Sequence, residues 1–326
     1  MQSMTSEYEI FRGELAQIFT SPILDRVNMV YDEQVQSYEQ DGDKVTVTFA
    51  RSQKVESFDL LVGADGYYSK IRGAMLGAKP ADQVFGEGVH VAYFTVKRDL
   101  LAGSLLAKGH NAPGGRCLVL RPDPSPAGRT RGMFINANWA SNRAAKERLD
   151  KAMRAGEEAY KDLMEEMFAD AGWLAPEMLK GMRESDDFYC SVFAQTRSPK
   201  LQDRRVVLLG DAGHAMPGQG TSLAITGAYI MAGEMLTDAE DVAAAAKRYE
   251  DLMLPFVQKQ QGGDLQFAMQ LANPETWWGI IIRNMVLRVV IGTGLVDLGM
   301  RVSAWLGFSE AKVDMPDYPW PVNEKE

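Results

Sequence analysis

Apolar positions first recur at helical spacing. Over residues 7–20, Ile10, Leu15 and Ile18 form one face around Arg12 and Glu14, which predicts a helix. The rhythm then switches to period two. Val45-Thr46-Val47-Thr48-Phe49 alternates, and Asp41-Gly42-Asp43 before it is a turn signal, so an antiparallel hairpin or small meander is expected over residues 27–58. Leu60-Leu61-Val62 follows neither rhythm. It is a continuous apolar run ending in Gly63-Ala64-Asp65-Gly66, the texture of a strand buried on both faces in a parallel sheet. Val206-Val207-Leu208-Leu209 repeats that texture, ends in Gly210-Asp211 and leads into an expected helix over residues 222–236.

Residues 80–200 have another texture. Strands are expected around 91–96, 117–121 and 132–138, with Pro122, Pro124, Pro126 and Gly128 breaking the stretch into loops. Residues 143–170 read as charged helix, and 243–260 as helix that Pro255 should kink or end. The most apolar stretch, Ile280 to Phe308, is interrupted by Arg283, Arg288, Asp297 and Arg301. A core-packing or capping element is expected there, an interfacial helix or partner surface being the other reading. Two buried strands of one sheet, separated by a long mixed segment, describe an α/β nucleotide domain interrupted by a sheet-rich insertion.

Composition narrows the function classes. The chain has 326 residues, 46% hydrophobic and 24% charged, with a net charge of −9. An acidic chain without a basic tract lacks the clustered Lys and Arg that phosphate backbones need, so nucleic acid is set aside. Cys117 and Cys190 lie far apart without a CxxC, and there are three histidines. A disulfide framework and a zinc site are therefore not expected. The N-terminus has neither a basic region nor an apolar core of signal-peptide type, and no run of apolar residues is long enough to span a membrane. A cytoplasmic location is the expectation.

Two segments carry candidate chemistry. In Asp59-Leu-Leu-Val-Gly-Ala-Asp65-Gly66-Tyr-Tyr-Ser69-Lys-Ile-Arg72, a strand turns through glycine into a helix near Ser69, placing N–H groups and a hydroxyl where phosphate can bind. In Arg205-Val-Val-Leu-Leu-Gly210-Asp211-Ala-Gly-His214-Ala-Met-Pro217-Gly218-Gln-Gly220-Thr221-Ser222, Asp211 falls at the carboxyl end of the sheet, where α/β folds bind ligands. Its carboxylate suits a sugar or polyol hydroxyl. Gly218 and Gly220 permit close backbone approach, and Thr221 or Ser222 is expected to cap the next helix. Ala224, Ala228 and Ala232, with Gly227 beside them, let that helix lie close to a sheet or a cofactor; close packing alone explains them equally well.

In this order and at this separation, the two segments resemble the DG and GD motifs of the class A FAD-dependent aromatic-ring hydroxylases, a family that includes para-hydroxybenzoate hydroxylase and the tetracycline-inactivating monooxygenases. Arg12-Gly-Glu-Leu15 resembles that family's Arg-x-x-Leu, and Gly220-Thr-Ser-Leu-Ala-Ile-Thr-Gly-Ala-Tyr229 its post-loop helix. The resemblance implies an α/β FAD-binding fold with a mixed-sheet substrate domain and C-terminal helices. It places FAD-binding residues at 1–78 and 191–272, the substrate domain at 79–190 and a C-terminal helical segment at 273–326. It also implies residue roles. Arg12 would lie near the ribityl chain, Asp65 and Gly66 near the pyrophosphate and a transient NAD(P)H path, with Arg72 steadying them. Asp211 would hold a ribityl or ribose hydroxyl, and Gly220 and Thr221 would approach the pyrimidine edge of the flavin. His214 fits the motif as a residue that orders the loop. The implied reaction is NAD(P)H-dependent hydroxylation of a small organic molecule, aromatic or polyketide-like, through a flavin C4a-hydroperoxide, with a place in secondary metabolism. Tyr93, Asn136 and Trp139 are candidate lining residues, with core or surface the more common role for such side chains.

The chain also departs from the family. A βαβ unit with G-x-G-x-x-G should come first and needs ~30 residues, whereas eleven residues precede Arg12 and no G-x-G-x-x-G occurs. The loop after His214 is also short, Pro217 being followed at once by Gly218-Gln-Gly220. The expectation is thus a fold truncated at the N-terminus, with an oligomer or partner covering an exposed sheet edge. The rival function is a partner-dependent or non-catalytic remnant. Trp277-Trp278-Gly279-Ile280 does not reproduce the Trp-x-Trp-x-Ile-Pro pattern of flavin halogenases.

Overall fold

The structure, a computed structural model, describes residues 10–123, 128–137, 143–261, 272–293 and 315–321. The chain divides into two compact units, Met1–Asp59 and Leu60–Glu326. The first unit opens with α1 (Arg12–Thr20) and a 3-10 turn at Ser21–Ile23. Strands β1 (Val35–Asp41), β2 (Lys44–Phe49) and β3 (Val55–Phe58) then form the expected antiparallel meander. Asp41 pairs with Lys44 across Gly42, whose φ of +55° suits the tight turn. Val45 and Val47 share one buried face of β2, as period two requires. Beside β1, the Glu33 carboxylate accepts the backbone N–H groups of Gln34, Arg51 and Ser52. The N–H groups of Arg51 and Gln34 lead in holding its pKa down at about 2.

The second unit holds two sheets. Strand β4 (Leu61–Gly63) leads into α2 (Lys70–Leu76). Next come β5 (Val84–Val96), β6 (Lys108–Ala112), β7 (Arg116–Pro122) and β8 (Thr130–Ala137). Helices α3 (Arg143–Ala155), α4 (Glu157–Phe168) and α5 (Ala175–Arg183) precede β9 (Tyr189–Thr196). Then β10 (Gln202–Asp203) and β11 (Val206–Leu208) lead to α6 (Asp211–His214), α7 (Gly220–Thr237), α8 (Val242–Gln261) and α9 (Trp277–Gly292).

The larger sheet runs β6-β7-β8-β5-β9, with all pairs antiparallel. One face buries Ala92, Phe94, Leu118, Leu120 and Phe134 under α3, α4 and α5, where Leu149, Met164, Phe168 and Met178 complete the core. Phe134 sits between Phe94 and Phe168 at ring distances of 5.1 and 4.5 Å. Each such ring stabilises by about 1.5–3 kcal/mol through burial.

The smaller sheet runs β10-β11-β4, and β11 and β4 are parallel in the register Val206↔Leu61, Val207↔Val62, Leu208↔Gly63. The parallel pairing expected of the two apolar runs is present. Their burial is unequal, however: β11 is fully buried, while Leu61 and Val62 are half-buried. The packed face of β11 meets Leu223, Ile230, Ala246, Tyr249 and Met253 of α7 and α8.

Helix α8 continues through Pro255. Asp251, four residues earlier, is exposed, so water can take the carbonyl that the proline leaves without a donor. Helix α9 overturns the expectation of a packed core element: Trp277, Ile282, Met285 and Val289 are each more than half exposed. Residues 294–314 of that apolar stretch lie outside the described residues.

The short segment 315–321 packs on α7. Tyr318 donates to Glu234 Oε1 at 2.8 Å, Tyr229 donates to the Pro316 carbonyl at 3.0 Å, and Glu234 in turn pairs with Arg248 of α8. A Cβ at Gly233 would stand 2.1 Å from the Tyr318 ring. In a helix interior, Gly→Ala is ordinarily worth about 0.5–1 kcal/mol of added stability. Here the sign should reverse. Gly233→Ala is expected to cost about 1–2 kcal/mol through overpacking and to lift the 315–321 segment, read as increased exposure of Trp320 fluorescence to quencher. Unchanged quenching with a raised melting temperature would sink this prediction.

Candidate functional site

Strand β4 ends at Gly63, and the chain turns through Asp65 and Gly66 into α2. The start of α2 is closed by its own side chains. Asp65 Oδ2 accepts the N–H groups of Lys70 and Ile71 at 2.9 and 3.4 Å, and Ser69 Oγ accepts that of Arg72 at 2.9 Å. Those three donors are thus engaged within the chain by a capping arrangement. Asp65 acts there as the anion.

Arg72 is the largest fully buried side chain among the described residues. Its guanidinium donates to the carbonyls of Tyr67 at 2.6 Å, Pro80 at 2.5 Å and Ala212 at 2.6 Å. It therefore steadies the DG segment, as expected, and also ties it to the GD segment 140 residues away. Burial lowers its pKa, and the charge of Asp65 opposes the shift.

On the other strand, Gly210 turns the chain into α6 with a φ of +61°. Asp211 opens α6 at the carboxyl end of β11, and its backbone carbonyl accepts Thr196 Oγ1 at 2.8 Å. Gly220 opens α7 close by: a Cβ there would stand 3.4 Å from Asp211 Oδ1. Asp211 and Gly220 are thus brought together. Thr221 and Ser222, exposed, are the second and third residues of α7 and do not cap it; Gln219 is the N-cap and gives no side-chain cap bond. The 18-residue α7 thus starts without a side-chain bond from its N-cap residue and with no acidic residue in its first turn. Gly66 and Gly218 have φ of +82° and +78° and open space where a Cβ would be.

His214 is buried, and burial pushes its pKa down to about 4, so the ring is neutral. Its Nε2 lies 3.4 Å from the hydroxyl of Tyr249. Gln261 Nε2 donates to the carbonyls of Thr196 at 2.8 Å and Ala215 at 3.2 Å. Sequence reasoning missed Thr196, Tyr249 and Gln261 as supports of this loop. One signal was present: Ala245, Tyr249, Met253 and Val257 recur every four residues as the buried stripe of α8, and a tyrosine on such a stripe must find a partner for its hydroxyl.

Arg12 is the first residue of α1 in the first unit, and its side chain lies outside the described portion. Tyr93 stacks on Tyr189 at 4.6 Å, on the sheet face that also carries Val89, Val91, Met133, Ile135 and Phe193. Asn136 is on the opposite, helix-covered face, buried with Nδ2 against Met164 Sδ, which makes it a core residue. Trp139 lies outside the described residues. Among the described residues no cluster of His, Cys, Asp and Glu could hold a metal ion, and no helix is long and apolar enough to cross a membrane. Both cysteines are free thiols.

The donor set suits one stretch of FAD. It offers a carboxylate for a hydroxyl, backbone donors at a long helix start and glycines that leave room for close approach. No family model matches the chain. Among curated relatives, it is 29% identical to the FAD-dependent monooxygenase asL4 of Sarocladium schorii, over 98% of this chain and 76% of that protein. It is 32% identical to a flavin-dependent monooxygenase of an unknown prokaryotic organism, over 78% of this chain and 63% of that protein. Among solved structures, tetracycline destructase Tet(55) superposes with a TM-score of 0.66 at 27% identity, over 94% of this chain and 74% of that one. Matched along nearly its whole length, with Asp65-Gly66 and Gly210-Asp211 at the ends of adjacent parallel strands, the chain is similar to FAD-dependent monooxygenases and to the class A flavoprotein hydroxylases among solved structures.

Proposed function

We propose that this FAD-dependent monooxygenase uses NAD(P)H as a transient reductant to hydroxylate a small aromatic or polyketide-like molecule, with its flavin held along the carboxyl ends of β4 and β11. The observation that carries the reading is the α7 start, to which the N-cap Gln219 gives no side-chain bond, set against Asp211. In this assignment Asp211 accepts a hydrogen bond from a ribityl or ribose hydroxyl. The α7 amides at Gly220 and Thr221 face the electron-rich pyrimidine edge, where the positive end of the helix dipole favours negative charge. Asp65 and Gly66 shape the pyrophosphate side, and Arg12 is assigned to the ribityl chain from its motif. When bound, FAD supplies the two-electron redox chemistry and the activation of O₂, so the protein's part is to position, to exclude water and to supply hydrogen bonds. No side chain here is assigned as a base: burial holds the His214 pKa down at about 4, which makes the ring a poor proton acceptor near neutral pH. For the substrate, the apolar face with the Tyr93–Tyr189 stack offers flat aromatic contact.

The test is to add FAD to the purified chain and follow quenching of flavin fluorescence together with the visible flavin band. Saturable binding by the wild type is expected, with Asp211→Ala weaker by about tenfold, the equivalent of about 1.4 kcal/mol. Reduction of the bound flavin should then follow addition of NADPH or NADH. A folded wild-type chain that takes up no FAD overturns the reading, and an Asp211→Ala variant that binds equally well overturns the role given to Asp211.

A further inference from the structure

The loop from Gly210 to Gly220 carries two of the proposed flavin contacts, Asp211 and Gly220. Its anchoring comes from behind. His214, 1% exposed, points its Nε2 edge at α7 and α8: a Cβ at Gly227 would stand 3.2 Å from that nitrogen, and Tyr249 Oη is 3.4 Å away. Tyr249 is itself fully buried and donates its single hydroxyl proton to the Leu208 carbonyl at 2.9 Å, in the last residue of β11. With that proton committed, the hydroxyl can only accept from the histidine.

We propose that Tyr249 is a positioning residue that fixes His214 as the Nε2–H tautomer and thereby clasps the Gly210–Gly220 loop between the end of β11 and helices α7 and α8. The rest of the geometry follows from this. The neutral ring carries one proton, so Nδ1 is left as a bare acceptor, and Nδ1 is the histidine atom without a hydrogen-bond partner among the described residues. The clasp joins three elements through two side chains: the Leu208 carbonyl of β11, the hydroxyl of α8 and the imidazole of the loop, with α7 seated on the ring edge at Gly227. Gln261, on the same helix as Tyr249, holds the Ala215 carbonyl one residue further on. Helix α8 thus grips the loop at consecutive residues without lying among the proposed flavin contacts. The effect of the clasp on FAD rests on the flavin reading above; the tautomer and the loop restraint do not.

The experiment uses the full chain without FAD, labelled with ¹⁵N-histidine, and reads the tautomer of His214 by NMR. The signals of the three histidines are assigned with His90→Gln and His110→Gln variants. Wild-type His214 is expected as Nε2–H. Tyr249→Phe, which keeps the ring and removes the hydroxyl, should raise the Nδ1–H share and speed amide exchange of the loop by about tenfold, the equivalent of one hydrogen bond. A wild-type His214 protonated on Nδ1 overturns the proposal, and this holds even if the variant fails to fold. A Tyr249→Phe chain that loses stability while tautomer and loop exchange stay unchanged also overturns it, since that is the signature of packing alone. If tautomer and loop protection come out as expected but the wild type takes up no FAD, the clasp stands and the flavin reading falls.

Discussion

Arg72→Met is expected to lower the unfolding free energy of the larger unit by roughly 4 kcal/mol, and to do so without changing the chemistry of any proposed cofactor contact. The magnitude follows from what the guanidinium holds. It is fully buried and bonds three carbonyls, those of Tyr67, Pro80 and Ala212, which belong to three separate segments. Hydrogen bonds from a charged donor contribute about 1.5–3 kcal/mol each, and a carbonyl left unpaired costs about 1–3 kcal/mol. Methionine replaces the bulk of the side chain and none of its donors. The charge it removes was costly to bury, which keeps the net loss well below the sum of the three bonds. Arg72→Lys should recover less than half of the loss, because one ammonium cannot span three carbonyls held apart by a planar fork. Urea denaturation at neutral pH checks both variants, and a Met variant within about 1 kcal/mol of wild type would falsify the account. Since Arg72 is the tie between the DG and GD segments, FAD affinity should fall along with stability.

The parts of this fold that were legible in the sequence are those set by local pattern. The alternation Val45-Thr46-Val47 and the Asp41-Gly42-Asp43 turn gave the meander, and two apolar runs ending in glycine gave the parallel pair β4 and β11. What stayed hidden depends on partners distant in sequence. Strand β6 reads Lys-Gly-His-Asn-Ala, with neither alternation nor β-branched residues, and exists because β7 pairs with it from Lys108 to Ala112. Capping was misassigned for a similar reason. Ser69 and Asp65 both lie within reach of the α2 start, and sequence cannot say that they occupy its donors; Thr221 and Ser222 have the right chemistry but lie one and two residues inside α7. For the site, Asp211, Gly220 and Arg72 were visible as motif residues. Tyr249 and Gln261 were not, since a buried hydroxyl and a buried amide become loop supports only once α8 is folded against β11.

Stability should also fall between neutral and mildly acidic pH, before any carboxylate is protonated. In the folded chain, burial holds the His214 pKa down at about 4, against an ordinary 6.5. Between those values the unfolded chain binds a proton that the folded chain refuses, so stability rises with pH across the window and falls as pH drops through it. The full shift corresponds to roughly 3 kcal/mol, of which about 2 kcal/mol should be lost between pH 7 and pH 5. His90 adds in the same direction: burial lowers its pKa, with Asp150 opposing the shift and Lys146 reinforcing it. Depressed carboxylates act lower on the scale. Glu33, for example, contributes stability that is lost only as pH falls from 4.5 towards about 2, and it belongs to the other unit. The slope between pH 7 and pH 5 therefore reports buried histidine. His214→Gln should flatten most of it, leaving the part due to His90. Urea unfolding of wild type and variant at the two pH values separates the cases. A wild-type stability that is flat across the interval, or an equal slope in His214→Gln, would mean that the ring takes up its proton without leaving its pocket, and that the loop is not held by a neutral imidazole.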